Sequence, residues 1–168
     1  MRVNKPQRIG LGGGCHWCTE GVFVSLEGVS RVEQGFIAAS APDDAFSEAV
    51  IVHFDPDTIE LDELLRVHVE THSSSGDHSL RGRYRSAVYV FDDGQLRDCR
   101  DVLTTIRTLD RPELLTRVLR FGAFRASLAE HRDYYRTDPS RPFCRRYIAP
   151  KIERLRADRP QLFFDNKQ

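Results

Sequence analysis

The sequence lacks several things, and each lack narrows the field. It has no excess of charge: Lys and Arg total 25 and Asp and Glu total 25 of 168 residues. That balance argues against a nucleic-acid or anionic-membrane partner, both of which select basic surfaces. It has no apolar run near the ~20 residues a membrane helix requires. Residues 1–8 are polar, with no apolar core of a secretory signal, so a cytoplasmic protein is expected. It has few cysteines, only Cys15, Cys18, Cys99 and Cys144, too sparse for a disulfide scaffold in a chain this long. It has no internal repeat and no low-complexity tract. What remains is 40% hydrophobic with a mean hydropathy of -0.46, the composition of one soluble globular domain over 1–168. With no long apolar surface stripe, a monomer is expected.

Hydrophobic periodicity gives the elements. Residues 7–13 read as a strand entering a glycine turn, and 15–26 as a helix with Val22, Phe23 and Leu26 on one face. Strands follow over 29–38 and 48–54, the second strongly β-branched and stopped by Asp55-Pro56. Residues 60–72 form a helix, 73–82 a polar loop long enough to suspect function, and 86–91 a fourth strand. Helices are predicted over 95–109 and 126–135, an edge strand over 114–121, and a basic amphipathic helix within 141–156. The order β-α-β-β-α-β predicts an α+β fold, a ferredoxin-like split βαβ sandwich. Residues 126–168 are expected to form an extended C-terminal segment packed on it.

The chemically marked residue is Cys15. It follows Gly12, Gly13 and Gly14 and begins a helix. A helix N-terminus offers unpaired N–H groups and partial positive charge, which stabilise a thiolate. Cys18 lies at i+3, on the same helical face. One Cys-x-x-Cys without a second pair is poor evidence for zinc, so no metal is expected. A thioredoxin-like redox pair is a real alternative. His16 either raises the thiolate fraction or sits in solvent; Trp17 is either core or the wall of an apolar pocket.

Gly14-Cys15-His16-Trp17-Cys18-Thr19-Glu20 resembles the Gly-Cys-Phe-Trp signature of the A-type peptide methionine sulfoxide reductases. Further matches follow in order. Leu26-Glu27-Gly28-Val29 resembles the family's helix exit, and Ser47-Glu48-Ala49-Val50 its His-Ala-Glu strand start. Arg83-Tyr84-Arg85-Ser86-Ala87 resembles Gln-Tyr-Arg-Ser-Ala. His131-Arg132-Asp133-Tyr134, Phe143-Cys144 and Pro150-Lys151 resemble elements of its tail.

The resemblance implies thiol-dependent reduction of methionine S-sulfoxide, free or in proteins. Cys15 would attack the sulfoxide sulfur and become a sulfenic acid, which a second thiol converts to a disulfide. Glu48 would be the acid and Tyr84 a second hydrogen-bond donor to the oxygen. Cys144 is the implied resolving thiol, with Cys18 open as an alternative. His16, Trp17, Asp77, Ser79 and His131 are the implied substrate contacts. No bound cofactor is implied, only an external reductant, thioredoxin or another dithiol. A non-catalytic homologue that binds oxidised methionine is the remaining alternative. Three departures stand out. Phe after the nucleophile is His16; the Pro-Thr-Tyr stretch has no counterpart in 40–46; and the acidic position before Tyr84 falls on Ser79, with Asp77 the nearest carboxylate. Activity is therefore expected to be low or directed at a different sulfoxide.

Overall fold

A computed structural model describes residues 5–72 and 84–164. The first half follows the predicted order closely: β1 (Gln7–Gly12), α1 (His16–Val24), β2 (Val29–Ala39), β3 (Ser47–Phe54), α2 (Leu61–Thr71), β4 (Ala87–Val90) and α3 (Asp93–Leu109). Then come β5 (Arg117–Ala126), a 3-10 turn (Ala129–His131), the one-turn α4 (Tyr134–Thr137), a π turn (Cys144–Ile148) and α5 (Ala149–Asp158).

The strands form one closed sheet in the order β1-β3-β2-β5-β4, with β4 returning to β1. β4 and β5 run parallel; every other pairing is antiparallel. Side chains alternate across this wall, as strand geometry requires. Val50, Val52 and Phe54 of β3 face outward into a core shared with Val22, Phe23, Leu64, Leu65 and Leu103 of the helices. Ala49 and Ile51 face inward with Ile37, Ala39, Ala87 and Tyr89. The barrel is narrow, so its lining includes small residues; a Cβ at Gly10 would lie 2.7 Å from the Tyr89 Cβ. Among the described residues no helix is long and apolar enough to cross a membrane.

Two expectations need correction. The strand predicted at the edge over 114–121 lies at Arg117–Ala126 and has a partner on each side. Gly122 sits opposite a register shift in β2, where a Cβ would press on the Ala38 carbonyl at 2.8 Å. The helix predicted over 126–135 is instead a strand end, a 3-10 turn and α4, interrupted at Asp133, whose φ is 53°. The basic segment beyond it is helical but enters through a π turn, with Pro150 in the first turn of α5. It is well anchored: Cys144, Ile148, Ile152 and Leu155 join the outer core, and Arg159 pairs with Glu63 and Glu70.

Candidate active site

Cys15 is the N-cap of α1, and its carbonyl accepts from the N–H groups of Cys18 (3.1 Å) and Thr19 (3.2 Å). Its thiol is drawn down to about 7, first by a hydrogen bond from the Cys18 thiol, then by the N–H groups of Trp17 and Cys18. Burial and the nearby Glu48 carboxylate work in the opposite direction. The helix start therefore contributes as expected, but the largest single cause is the neighbouring thiol. The same bond, with burial and the charge of Cys15, pushes Cys18 strongly up, so the shared proton rests on Cys18. This is the asymmetry a nucleophile and its partner need.

Glu48, near the start of β3, is only 3% exposed. It is not the water-facing strand charge that a lone Glu usually is. Its Oε1 lies 3.2 Å from His16 Nε2 and 3.5 Å from the His16 backbone N–H. Glu48 is also near enough for its charge to bear on the Cys15 thiol, although 33 positions separate them. His16 is buried behind the cysteine, its Nδ1 2.8 Å from the Gly35 carbonyl and its ring edge-on to Phe36. It stands neither in solvent nor against the hollow expected to receive substrate.

That hollow, about 150 Å³, opens at the sulfur. Gly13, Gly14, Cys15, Cys18, Thr19, Thr71, His72, Tyr84 and Lys151 line it. Tyr84 therefore shares a wall with Cys15. His72 and Lys151 escaped the sequence reading as site residues. The ring of His72 meets Ser86 Oγ at 2.9 Å, and Ser86 in turn meets Thr116 Oγ1 at 2.8 Å. Lys151 Nζ donates to the Thr71 carbonyl, and its charge works to lower the Cys18 thiol. The available signals were the i, i+4 spacing of His68 and His72 and the Pro-Lys pair at 150–151.

Trp17 points the other way, into an aromatic cluster. It stacks on Tyr134 at 4.1 Å and 4°, meets Phe143 edge-on at 5.4 Å, and lies 5.9 Å from His131. Among the described residues its Nε1 has no hydrogen-bond partner. Tyr134 and Phe143 are thus neighbours that sequence reasoning passed over, and His131 is partly exposed beside them. Asp77 and Ser79 lie outside the described residues. Cys144 is fully buried on the π turn, and burial pushes its thiol up. It is near enough for its charge to bear on Cys18. Cys99 is buried in α3, its thiol pushed up to about 12 by burial and by Asp98 and Asp92, which makes it inert. No group of three or more His, Cys, Asp or Glu among the described residues is arranged to hold a metal.

Residues 7–162 match the family described as peptide methionine sulfoxide reductase. A peptide methionine sulfoxide reductase MsrA of Thermus thermophilus is 33% identical, over 90% of this chain and 94% of that protein. Among solved structures, reduced Mxr1 from Saccharomyces cerevisiae has a TM-score of 0.71 at 20% identity, covering 81% of this chain and 87% of that one. Mxr1 in complex with Trx2 has a TM-score of 0.61 at 18% identity, covering 80% of this chain and 89% of that one.

Proposed function

Because the chain belongs to the peptide methionine sulfoxide reductase family, we propose the following division of labour among its residues. The activity is thiol-dependent reduction of methionine sulfoxide. Cys15 thiolate attacks the sulfoxide sulfur while Glu48 gives a proton to the oxygen; methionine leaves and Cys15 becomes a sulfenic acid. Thiolate, sulfoxide and one proton are consumed, and sulfenic acid and thioether are formed. Tyr84 donates a second hydrogen bond to the oxygen, a role supported by its lining the same hollow as Cys15.

The Cys18 contact orders the two candidate resolving thiols. Cys18 already hydrogen-bonds the Cys15 sulfur, so it meets the sulfenic acid first, releasing water and forming a disulfide. Cys144, near enough for its charge to bear on Cys18, then takes the bond over by exchange and frees Cys15. An external dithiol completes the cycle. The Mxr1–Trx2 complex supports thioredoxin in that role. The same reading takes the S epimer as substrate and residues 1–168 as one catalytic domain, with 126–168 carrying Cys144. It takes the protein as a monomer in the reducing cytoplasm. The strand order β4-β1-β3-β2 supports a split βαβ core, with β5 closing it.

The observation that carries this reading is a thiol drawn down to about 7 beside a buried carboxylate. The test is a single turnover without reductant on a peptide containing methionine S-sulfoxide. With peptide equimolar to protein, wild type should yield one methionine per chain and Cys15→Ser none. Peptide mapping at the earliest time should find Cys15 joined to Cys18. Equal turnover by the two proteins would remove Cys15 from the mechanism. A Cys15–Cys144 bond appearing first would reverse the order of the resolving thiols.

A further inference from the structure

A second cavity adjoins the reactive hollow. It holds about 720 Å³, against about 150 Å³ for the hollow. Thr71, His72 and Lys151 line both, so a substrate held at Cys15 can continue from one into the other. The hollow takes little more than one side chain, and the rest of a peptide needs somewhere to lie.

α5 sets the chemistry of the cavity wall. Lys151, Arg154 and Asp158 recur at i, i+3 and i+7, on one helical face. Arg111, just past α3, and Arg159, just past α5, add two more cations, and Glu70 a second carboxylate. The charges are unevenly matched. Arg159 takes both oxygens of Glu70, at 2.7 and 3.2 Å, and also reaches Glu63 outside the cavity, so those groups answer one another. Asp158 stands 3.9 Å from Arg154, a loose, exposed contact that contributes little. Lys151 gives one N–H to the Thr71 carbonyl, and an ammonium has three to give. Arg111 enters no ion pair among the described residues. In a chain of zero net charge, the wall beside the nucleophile thus carries four cations to two carboxylates.

We propose that this cavity is a carboxylate-binding subsite: Lys151, Arg154 and Arg111 hold a carboxylate of the peptide that carries the oxidised methionine. The inference rests on the reductase reading and adds which substrates it favours. An acidic side chain beside the methionine and a free carboxyl end supply the same chemistry. These cations lie away from the reacting sulfur, so they hold substrate and transition state alike and act on KM rather than kcat.

The experiment measures kcat and KM, with dithiothreitol as reductant, for short peptides containing methionine S-sulfoxide. Three are blocked at both ends and flank the sulfoxide with Glu, Gln or Lys. A fourth has Gln before the sulfoxide and a free carboxyl end after it. Wild type should favour the Glu peptide over the Lys peptide by about fivefold in kcat/KM, with Gln between, and the difference should lie in KM. The preference should shrink at about 1 M salt, where the Debye length is ~3 Å. A gain confined to the fourth peptide would assign the subsite to a chain end. Arg111→Gln with Arg154→Gln should bring the preference toward one, and Arg111→Glu with Arg154→Glu should invert it. A ratio of two substrates in one sample does not depend on how much of a variant folds. A wild type that reduces all four peptides alike, or a preference that survives both double variants, would overturn the inference. A wild type that reduces none would instead overturn the functional reading beneath it.

Discussion

Gly13 and His72 make room for each other. Gly13 has a φ of 151°, and a Cβ there would be driven into the His72 ring. That ring is also held by the His68 carbonyl at Nδ1 and by Ser86 at Nε2, so it has little freedom to yield. Gly13→Ala should lower stability by about 2 kcal/mol in urea unfolding, combining backbone strain with overpacking. It should also slow the Cys15 reaction, because His72 lines the hollow. Wild-type stability with unchanged turnover would show that the ring moves aside freely. Cys15 is legible in sequence because its signals are local: glycines, a helix start and a thiol at i+3. His72 is not, since only the closure of α2 against the β1–α1 turn brings it there.

At the scale of elements, α1 is tied to the C-terminal segment by one carboxylate. Glu20 Oε1 accepts from Gln34 Nε2 at 2.9 Å and from the Tyr134 N–H at 3.1 Å; its Oε2 accepts from the Asp133 N–H at 2.9 Å. Glu20 thereby holds β2 and α4 to α1 and sets Tyr134 against Trp17. Glu20→Ala would strip an acceptor from three donors, one buried and two half-buried, and should cost about 2 kcal/mol. Trp17 fluorescence should change as its stacking partner loosens. Burial raises Glu20 in the folded protein. Its contribution is therefore full below the ordinary carboxylate range and declines as pH rises through the raised folded value. The gap between wild type and Glu20→Ala should narrow in that direction; a gap that widens with pH would mean the bonds to the ionised form outweigh burial. This arrangement also explains the failed helix over 126–135. The local pattern favours a helix, but the N–H groups of 133 and 134 bond a carboxylate 113 and 114 positions away, and no local signal announces that.

For the whole molecule, closure of the sheet dries the site. β3 lies between β1 and β2, with helices over one face and the barrel interior against the other, so Glu48 is buried where an open edge would leave it wet. The strands themselves were legible from β-branched runs. Their closure was not, because the parallel pairing of β4 with β5 spans a helix and obeys no local pattern. The net charge of zero adds no monopole field, and the causes that move the Cys15 thiol are burial and groups beside it. The direct test is the ultraviolet absorbance of the thiolate against pH in reduced wild type and Cys18→Ala, which removes the donor. Cys18, Cys99 and Cys144 are all pushed upward, so the first ionisation belongs to Cys15. The account predicts a midpoint near 7 in wild type and a rise in Cys18→Ala. A wild-type midpoint at the ordinary ~8.5 of a free thiol, or one unmoved by Cys18→Ala, would contradict it.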